Sequence, residues 1–128
     1  MSDDPYSAQV RDLFADLSHA GDLDDAARSA LDEQGVRIRL AARHRKGHLQ
    51  ALRFRAWGCP HVLAACEAVC REYEGRPAAD LERFRATEIM GILSIPMEKT
   101  GRILVVEDAV RSLGRSIGGS SVAPVSWQ

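Results

Sequence analysis

The stretch 48–66, HLQALRFRAWGCPHVLAAC, changes its period halfway along. Up to Trp57 the side chains alternate, with Leu52, Phe54 and Ala56 on one side and Arg53 and Arg55 on the other, the pattern of a half-buried strand. After Pro60 the apolar positions Val62, Leu63, Cys66, Val69, Cys70 and Tyr73 fall at helical spacing and stop at Gly75. A strand therefore feeds a helix, and Cys59 stands at the corner between Gly58 and Pro60. A thiol there meets backbone N–H groups with no intrahelical partner, at the positive end of the helix dipole, and both favour thiolate.

Working outward, VRIRLAAR (36–43) alternates in the same way and is joined to the first stretch by a short turn around HRKG (44–47). The two runs predict a β-hairpin whose buried face carries Val36, Ile38 and Leu40 with Leu52, Phe54 and Ala56. Before it, DLDDAARSALDEQG (22–35) is polar and is expected to be mobile, with at most a short helix capped by Asp24 or Asp25. Asp4 and Pro5 start a first helix, and Val10, Leu13, Phe14 and Leu17 carry its stripe to Gly21. Downstream, Pro77 opens a short helix through Leu81 and Phe84, ATEIMGIL (86–93) gives another, and Pro96 follows it. The last helix takes Thr100 as cap, with Leu104, Val105, Ala109, Val110, Leu113 and Ile117 at its apolar positions. The order implies an α+β fold, a small antiparallel sheet with several helices packed on one face. One domain is expected over 1–117, with GGSSVAPVSWQ (118–128) as a disordered tail.

The chain starts MSDDPYSAQV, without the basic and apolar regions of a signal peptide. No apolar run approaches the about 20 residues of a membrane span. With an odd number of cysteines this predicts free thiols in a cytoplasmic protein that meets no membrane. Charge is segregated: residues 1–36 hold nine acids against two arginines, and 37–55 hold Arg37, Arg39, Arg43, Arg45, Lys46, Arg53 and Arg55 with no acid. One face should be basic. It lacks the interleaved aromatics of a single-strand binder, so an acidic protein partner fits it better than nucleic acid. Glycine loops for phosphate, G-x-S-x-G and H-E-x-x-H are missing, and no enzyme activity is expected.

Cys59, Cys66 and Cys70 lie at i, i+7 and i+11, a span of about 16 Å along a helix at 1.5 Å rise per residue. One ion with sulfur ligands near 2.3 Å cannot be shared over that length. Cys66 and Cys70 read as small core residues, whereas Cys59 reads as reactive or ligating. His61, two residues on, is a weak C-x-H partner; His44 and His48 flank a solvated turn, and His19 sits near the end of the first helix.

Three segments, PYSAQVRDLF, LRFRAWGCPHVLAACEAVCREYEG and IPMEKTGRILVVEDAVRSL, occur in an order and spacing that resemble the IscU and NifU N-terminal family of iron–sulfur cluster assembly scaffolds, over roughly residues 5–117. The resemblance implies the same α+β fold, a cysteine desulfurase as sulfur-donating partner, and handling of an iron–sulfur cluster, or of iron or zinc. By it, Cys59 matches the second cluster cysteine and is the sulfur-accepting thiol. Glu33 stands nearest the first, Arg102 stands at the third, Gly101 replaces a histidine and Gly35 an aspartate. Cys59 with His61 and Glu33 is then the residual ligand set, Arg102 a thiolate-stabilising cation ion-paired to Glu33, Lys99 a retained accessory residue and Tyr6 a partner-docking residue. Ile95, Pro96 and Lys99 imply a chaperone partner, and a cluster shared between two Cys59 thiolates implies a homodimer. Two readings stay open: a scaffold-like or one-cysteine carrier of sulfur or iron, and a ligand-depleted interaction module that regulates the assembly machinery.

Overall fold

The computed structural model describes residues 6–122, with side chains through Gly118. In chain order it contains helix α1 (Ala8–Phe14), strands β1 (Ala27–Glu33), β2 (Val36–Arg45) and β3 (His48–Trp57), helix α2 (Pro60–Tyr73), a 3-10 turn η1 (Ala78–Arg83), helix α3 (Ala86–Leu93), a second 3-10 turn η2 (Met97–Lys99) and helix α4 (Thr100–Val122). The strands form one antiparallel sheet in the order β1-β2-β3, with helices against its inner face.

The expected hairpin is β2–β3. Arg45 pairs with His48, and Lys46 and Gly47 both take positive φ (54° and 80°), the left-handed pair that lets a tight turn follow the strand twist. Val36, Ile38, Leu40, Ala42, Leu52 and Phe54 are buried beneath α2 and α4, while Ala56 is half-buried. The hairpin is not the whole sheet, however. The polar stretch expected to be mobile supplies β1, whose Glu33 pairs with Val36 across a second tight turn at Gln34 and Gly35 (φ 55° and 75°). Its inward residues are Ala27, Ser29 and Leu31, and the buried Ser29 hydroxyl donates to the Ala109 carbonyl of α4 (2.9 Å). An edge strand under a single helix needs little apolar surface, which is why its polarity concealed it.

The first helix is shorter than its stripe. Ser7 caps α1, its Oγ accepting from Val10 N–H (3.1 Å), and Asp4 and Pro5 lie outside the described residues. Phe14 is 44% exposed, and the chain leaves the helix so that His19–Gly21 can lie beside β3: Phe54 N–H donates to His19 O (3.0 Å) and Gly21 N–H to Phe54 O (2.8 Å). From that edge the chain must reach β1 at the opposite edge, and it crosses the outer face of the sheet. Arg43 donates to Asp24 O on this crossover (2.9 Å), and Ala41, an outward position, is buried under it.

His19 does not interact with the end of α1. Its ring spans a carboxylate of α2 and that of the residue capping its C-terminus, with Nδ1 2.7 Å from Glu67 and Nε2 3.0 Å from Glu74. Glu67 is fully buried and is also bonded by His19 N–H (2.9 Å), Ser18 Oγ (3.2 Å) and Arg71 Nε (2.8 Å). Burial pushes its pKa up, but these donors outweigh that and hold it below the ordinary value. Glu74 in turn accepts from Leu52 N–H and Arg53 of β3.

Helix α4 runs through Val122, past the expected boundary at Ile117; residues 123–128 of the expected tail lie outside the described residues. Its buried residues are Ile103, Val105, Val106, Ala109, Val110, Leu113 and Ile117; of the expected positions Leu104 departs, at 44% exposed, and Ile103 and Val106 are buried in addition. Gly114 permits a close approach of α4 to η1: a Cβ there would lie 2.9 Å from Leu81 Cβ and 3.0 Å from Glu82 N. No helix among the described residues is long and apolar enough to cross a membrane. Gly114→Ala should therefore lower unfolding free energy by about 1–3 kcal/mol through overpacking. Gly91→Ala in α3, where a Cβ meets open space, should raise it by about 0.5–1 kcal/mol. Urea unfolding of both variants checks the pair, and equal effects would place α4 wrongly against η1.

Candidate functional site

Cys59 is the N-cap of α2, in extended conformation (φ −80°, ψ 167°), with Pro60 in the first turn. Its carbonyl accepts from Val62 N–H (2.9 Å) and Leu63 N–H (3.2 Å), closing the first turns, and the half-buried thiol lies beside the first-turn amides of His61 and Val62. Gly58 is not demanded by crowding: a Cβ there would make ordinary 3.4 Å contact with Val62.

The sequence-predicted residues Tyr6, Lys99 and Arg102 lie around the pair formed by this thiol and His61. His61 Nδ1 lies 4.0 Å from Cys59 Sγ, and the imidazole is 2% exposed with its Nε2 unpartnered among the described residues. Tyr6 covers it, with ring centroids 4.7 Å apart and planes tilted by 52°. Lys99, half-buried in η2, and Arg102, exposed in the first turn of α4, bring two cations. Partial burial pushes the Cys59 thiol up, but the Val62 amide, the Arg102 guanidinium and the His61 amide outweigh it, and the pKa falls below the ordinary thiol value. Burial lowers the His61 pKa, and the charges of Lys99 and Arg102 lower it further against a smaller opposing effect of Glu98. At neutral pH the site is thus a thiol inclined to thiolate beside a neutral imidazole, under two positive charges.

Glu33 is not part of this cluster. It sits exposed at the end of β1 and, among the described residues, makes no ion pair with Arg102. Among the described residues Arg102 has no ion-pair partner, so its effect on Cys59 is that of a guanidinium not shared with a described carboxylate. Cys66 and Cys70 are fully buried; burial pushes Cys66 up to about 12 and Cys70 well above the ordinary value. His44 and His48 are exposed at the hairpin turn.

Iron–sulfur centres require thiolates, with occasional imidazoles, at four positions. Here one thiol and one imidazole lie near two cations, and no group of three or more His, Cys, Asp or Glu among the described residues could hold a metal ion. The residues of one chain do not fit a cluster.

No protein-family model matches the chain. It is 26% identical over 77 residues to the mitochondrial iron sulfur cluster assembly protein 1 of Eremothecium gossypii, a match over 60% of this chain and half the length of that relative. Among solved structures it resembles the N-terminal part of a nitrogen-fixing NifU-like protein from Brucella abortus (TM-score 0.71, 16% identity, 87% of this chain and 92% of that one). It also resembles a putative iron-sulfur cluster assembly scaffold protein for the SUF system from Fervidobacterium islandicum (TM-score 0.65, 14% identity, 84% and 95%). The α+β architecture is therefore the NifU-like fold expected from the three sequence segments.

The three thiols should separate in an alkylation profile. Iodoacetamide should modify Cys59 alone in the folded protein, with a pH midpoint below the roughly 8.5 of a free thiol. Arg102→Ala should move that midpoint upward, because removing a cation destabilises the thiolate. Mass spectrometry across pH reads both effects. Equal labelling of all three cysteines, or an unmoved midpoint, would contradict the geometry.

Proposed function

We propose that the protein serves iron–sulfur cluster assembly as a one-thiol sulfur acceptor, receiving persulfide sulfur on Cys59 from a cysteine desulfurase. The observation that carries the reading is the half-buried Cys59 thiol, held toward thiolate by helix-start amides and Arg102, at the sheet-to-helix corner of a NifU-like fold.

In the transfer, the Cys59 thiolate attacks the outer sulfur of the donor's persulfide. A new S–S bond forms to Cys59, the donor S–S bond breaks, and the donor leaves as a thiolate while the outer sulfur keeps its proton. Substrate and product are both anionic around the reacting sulfurs. Lys99 and Arg102 supply the compensating positive charge, and the neutral ring of His61, 4.0 Å from Sγ, limits the positions the sulfur can take. Tyr6 shields that ring and is the proposed contact to the donor protein. Chaperone recognition through Ile95, Pro96 and Lys99 is proposed on the same footing. Any iron or cluster would be cargo completed by ligands from elsewhere, a second Cys59 or a partner.

The donor set favours one competing reading, the regulatory module that docks to the machinery and carries nothing. Anaerobic incubation with a cysteine desulfurase and cysteine, followed by intact mass, separates the two. Wild type should gain one sulfur atom and Cys59→Ser none, and Arg102→Ala should gain it about tenfold more slowly, a loss of roughly 1.4 kcal/mol in transition-state stabilisation. Binding of the desulfurase with no sulfur gain would transfer the conclusion to the regulator.

A further inference from the structure

The arginines of the outer sheet face are not used by the thiol chemistry, and their placement is costly. Arg39 on β2 and Arg55 on β3 are direct register partners, an arrangement in which like charges oppose each other across neighbouring strands. Among the described residues neither has an ion pair. Arg28 is bound to Asp22 (3.1 Å) and Arg37 to Asp32 (3.1 Å). Asp22 is close enough to feel Arg55, but its carboxylate already accepts from Arg28 and the Leu23 amide.

The two arginines are shared by two adjoining clefts. One, of about 270 Å³, lies between the crossover at Gly21–Asp22 and the sheet, with Ala30 and Ala41 in its floor. The other, of about 220 Å³, continues along the sheet past Arg37 to Trp57, which is 75% exposed. Together they make a basic strip with small apolar residues beneath and an indole at one end, two residues before Cys59.

We propose that this strip is a docking surface for an acidic segment of a partner protein. Charge complementarity selects the occupant: uncompensated guanidiniums call for carboxylates, and filling the strip would relieve the Arg39–Arg55 repulsion. Its elongation across two clefts suits an extended chain better than a single small anion. An exposed Trp among arginines is the composition of a protein interface core. Single-stranded nucleic acid would need successive aromatic platforms, and this face offers one. The inference is independent of sulfur transfer to Cys59.

The test uses the full chain with Trp127→Phe, so that Trp57 is the sole indole reporter. The probes are a short alternating Glu-Ala peptide, its Gln-Ala counterpart and a single-stranded oligonucleotide of matching charge. The acidic peptide should shift Trp57 emission saturably, with affinity that falls as salt rises, and the neutral peptide should not. Both Arg39→Glu/Arg55→Glu and the milder Arg39→Gln/Arg55→Gln should weaken binding about tenfold or more, whereas Cys59→Ser should bind as wild type. Lack of a saturable shift, tighter binding of the oligonucleotide, or a homodimer that dissociates on the same substitutions would each overturn the proposal.

Discussion

Removing a carboxylate from water costs several kcal/mol unless donors replace the water, and Glu67 on α2 is fully buried. Its donors come from Ser18, His19 and Arg71, so the segment 18–21 must lie against α2 and beside β3. Several features follow from that constraint. Helix α1 has to end at Phe14 despite an apolar stripe that continues to Leu17. The chain leaves the β3 edge at Gly21 and must cross the outer face to reach β1, which creates the cleft beneath the crossover. With α1 also tied to α3 through Ser7 and the Leu93 carbonyl (2.5 Å), Tyr6 is brought over His61. The thiol corner and the arginine strip are thus both shaped by one buried ion cluster.

What the sequence disclosed divides along physical lines. The hairpin, α2, α3 and the burial of Cys66 and Cys70 were legible because each carries a complete periodic stripe against a continuous core. Strand β1 was not, since an edge strand touched by one helix can be written almost entirely in polar residues. Its available signal was Gln34-Gly35 between two alternating runs, a tight-turn pair of the kind Asn-Gly supplies more often. Glu67 was missed for a related reason: a glutamate within a helix reads as solvent-facing until its partners, far away in sequence, are known. Leu104 shows the limit of periodicity itself, because Ile103 and Val106 give an equally good stripe one step around the helix.

The candidate site was legible to the extent that local chemistry determined it. Cys59 could be placed at a helix start from Gly58-Cys-Pro60 alone; Arg102 acts on it and on His61, whereas Lys99 acts on His61. Glu33 could not be judged from sequence, because its place depends on β1, and the strand carries it to an exposed turn. The consequence is chemical. A Glu33–Arg102 pair would have neutralised the guanidinium; without it, the charge near the thiol is positive. Such a field stabilises thiolate and persulfide, keeps His61 neutral and opposes the approach of a metal cation.

Positive charge therefore appears at two places for two reasons, and Trp57 lies between them. Around Cys59 it is short-range, delivered by Arg102 and helix amides to the sulfur and by Lys99 and Arg102 to His61 beside it. Along the sheet it is spread over Arg39 and Arg55, where it does nothing for folding and opposes strand pairing. A chain of net charge −1 that concentrates uncompensated cations on one face has a dipolar surface, so an acidic protein approaching by diffusion is oriented before contact. It would meet the strip at the end of the sheet where β3 turns into α2. On the proposal made above, docking on the strip and chemistry at the thiol use different residues, so the affinity of docking is separable from the chemistry of transfer.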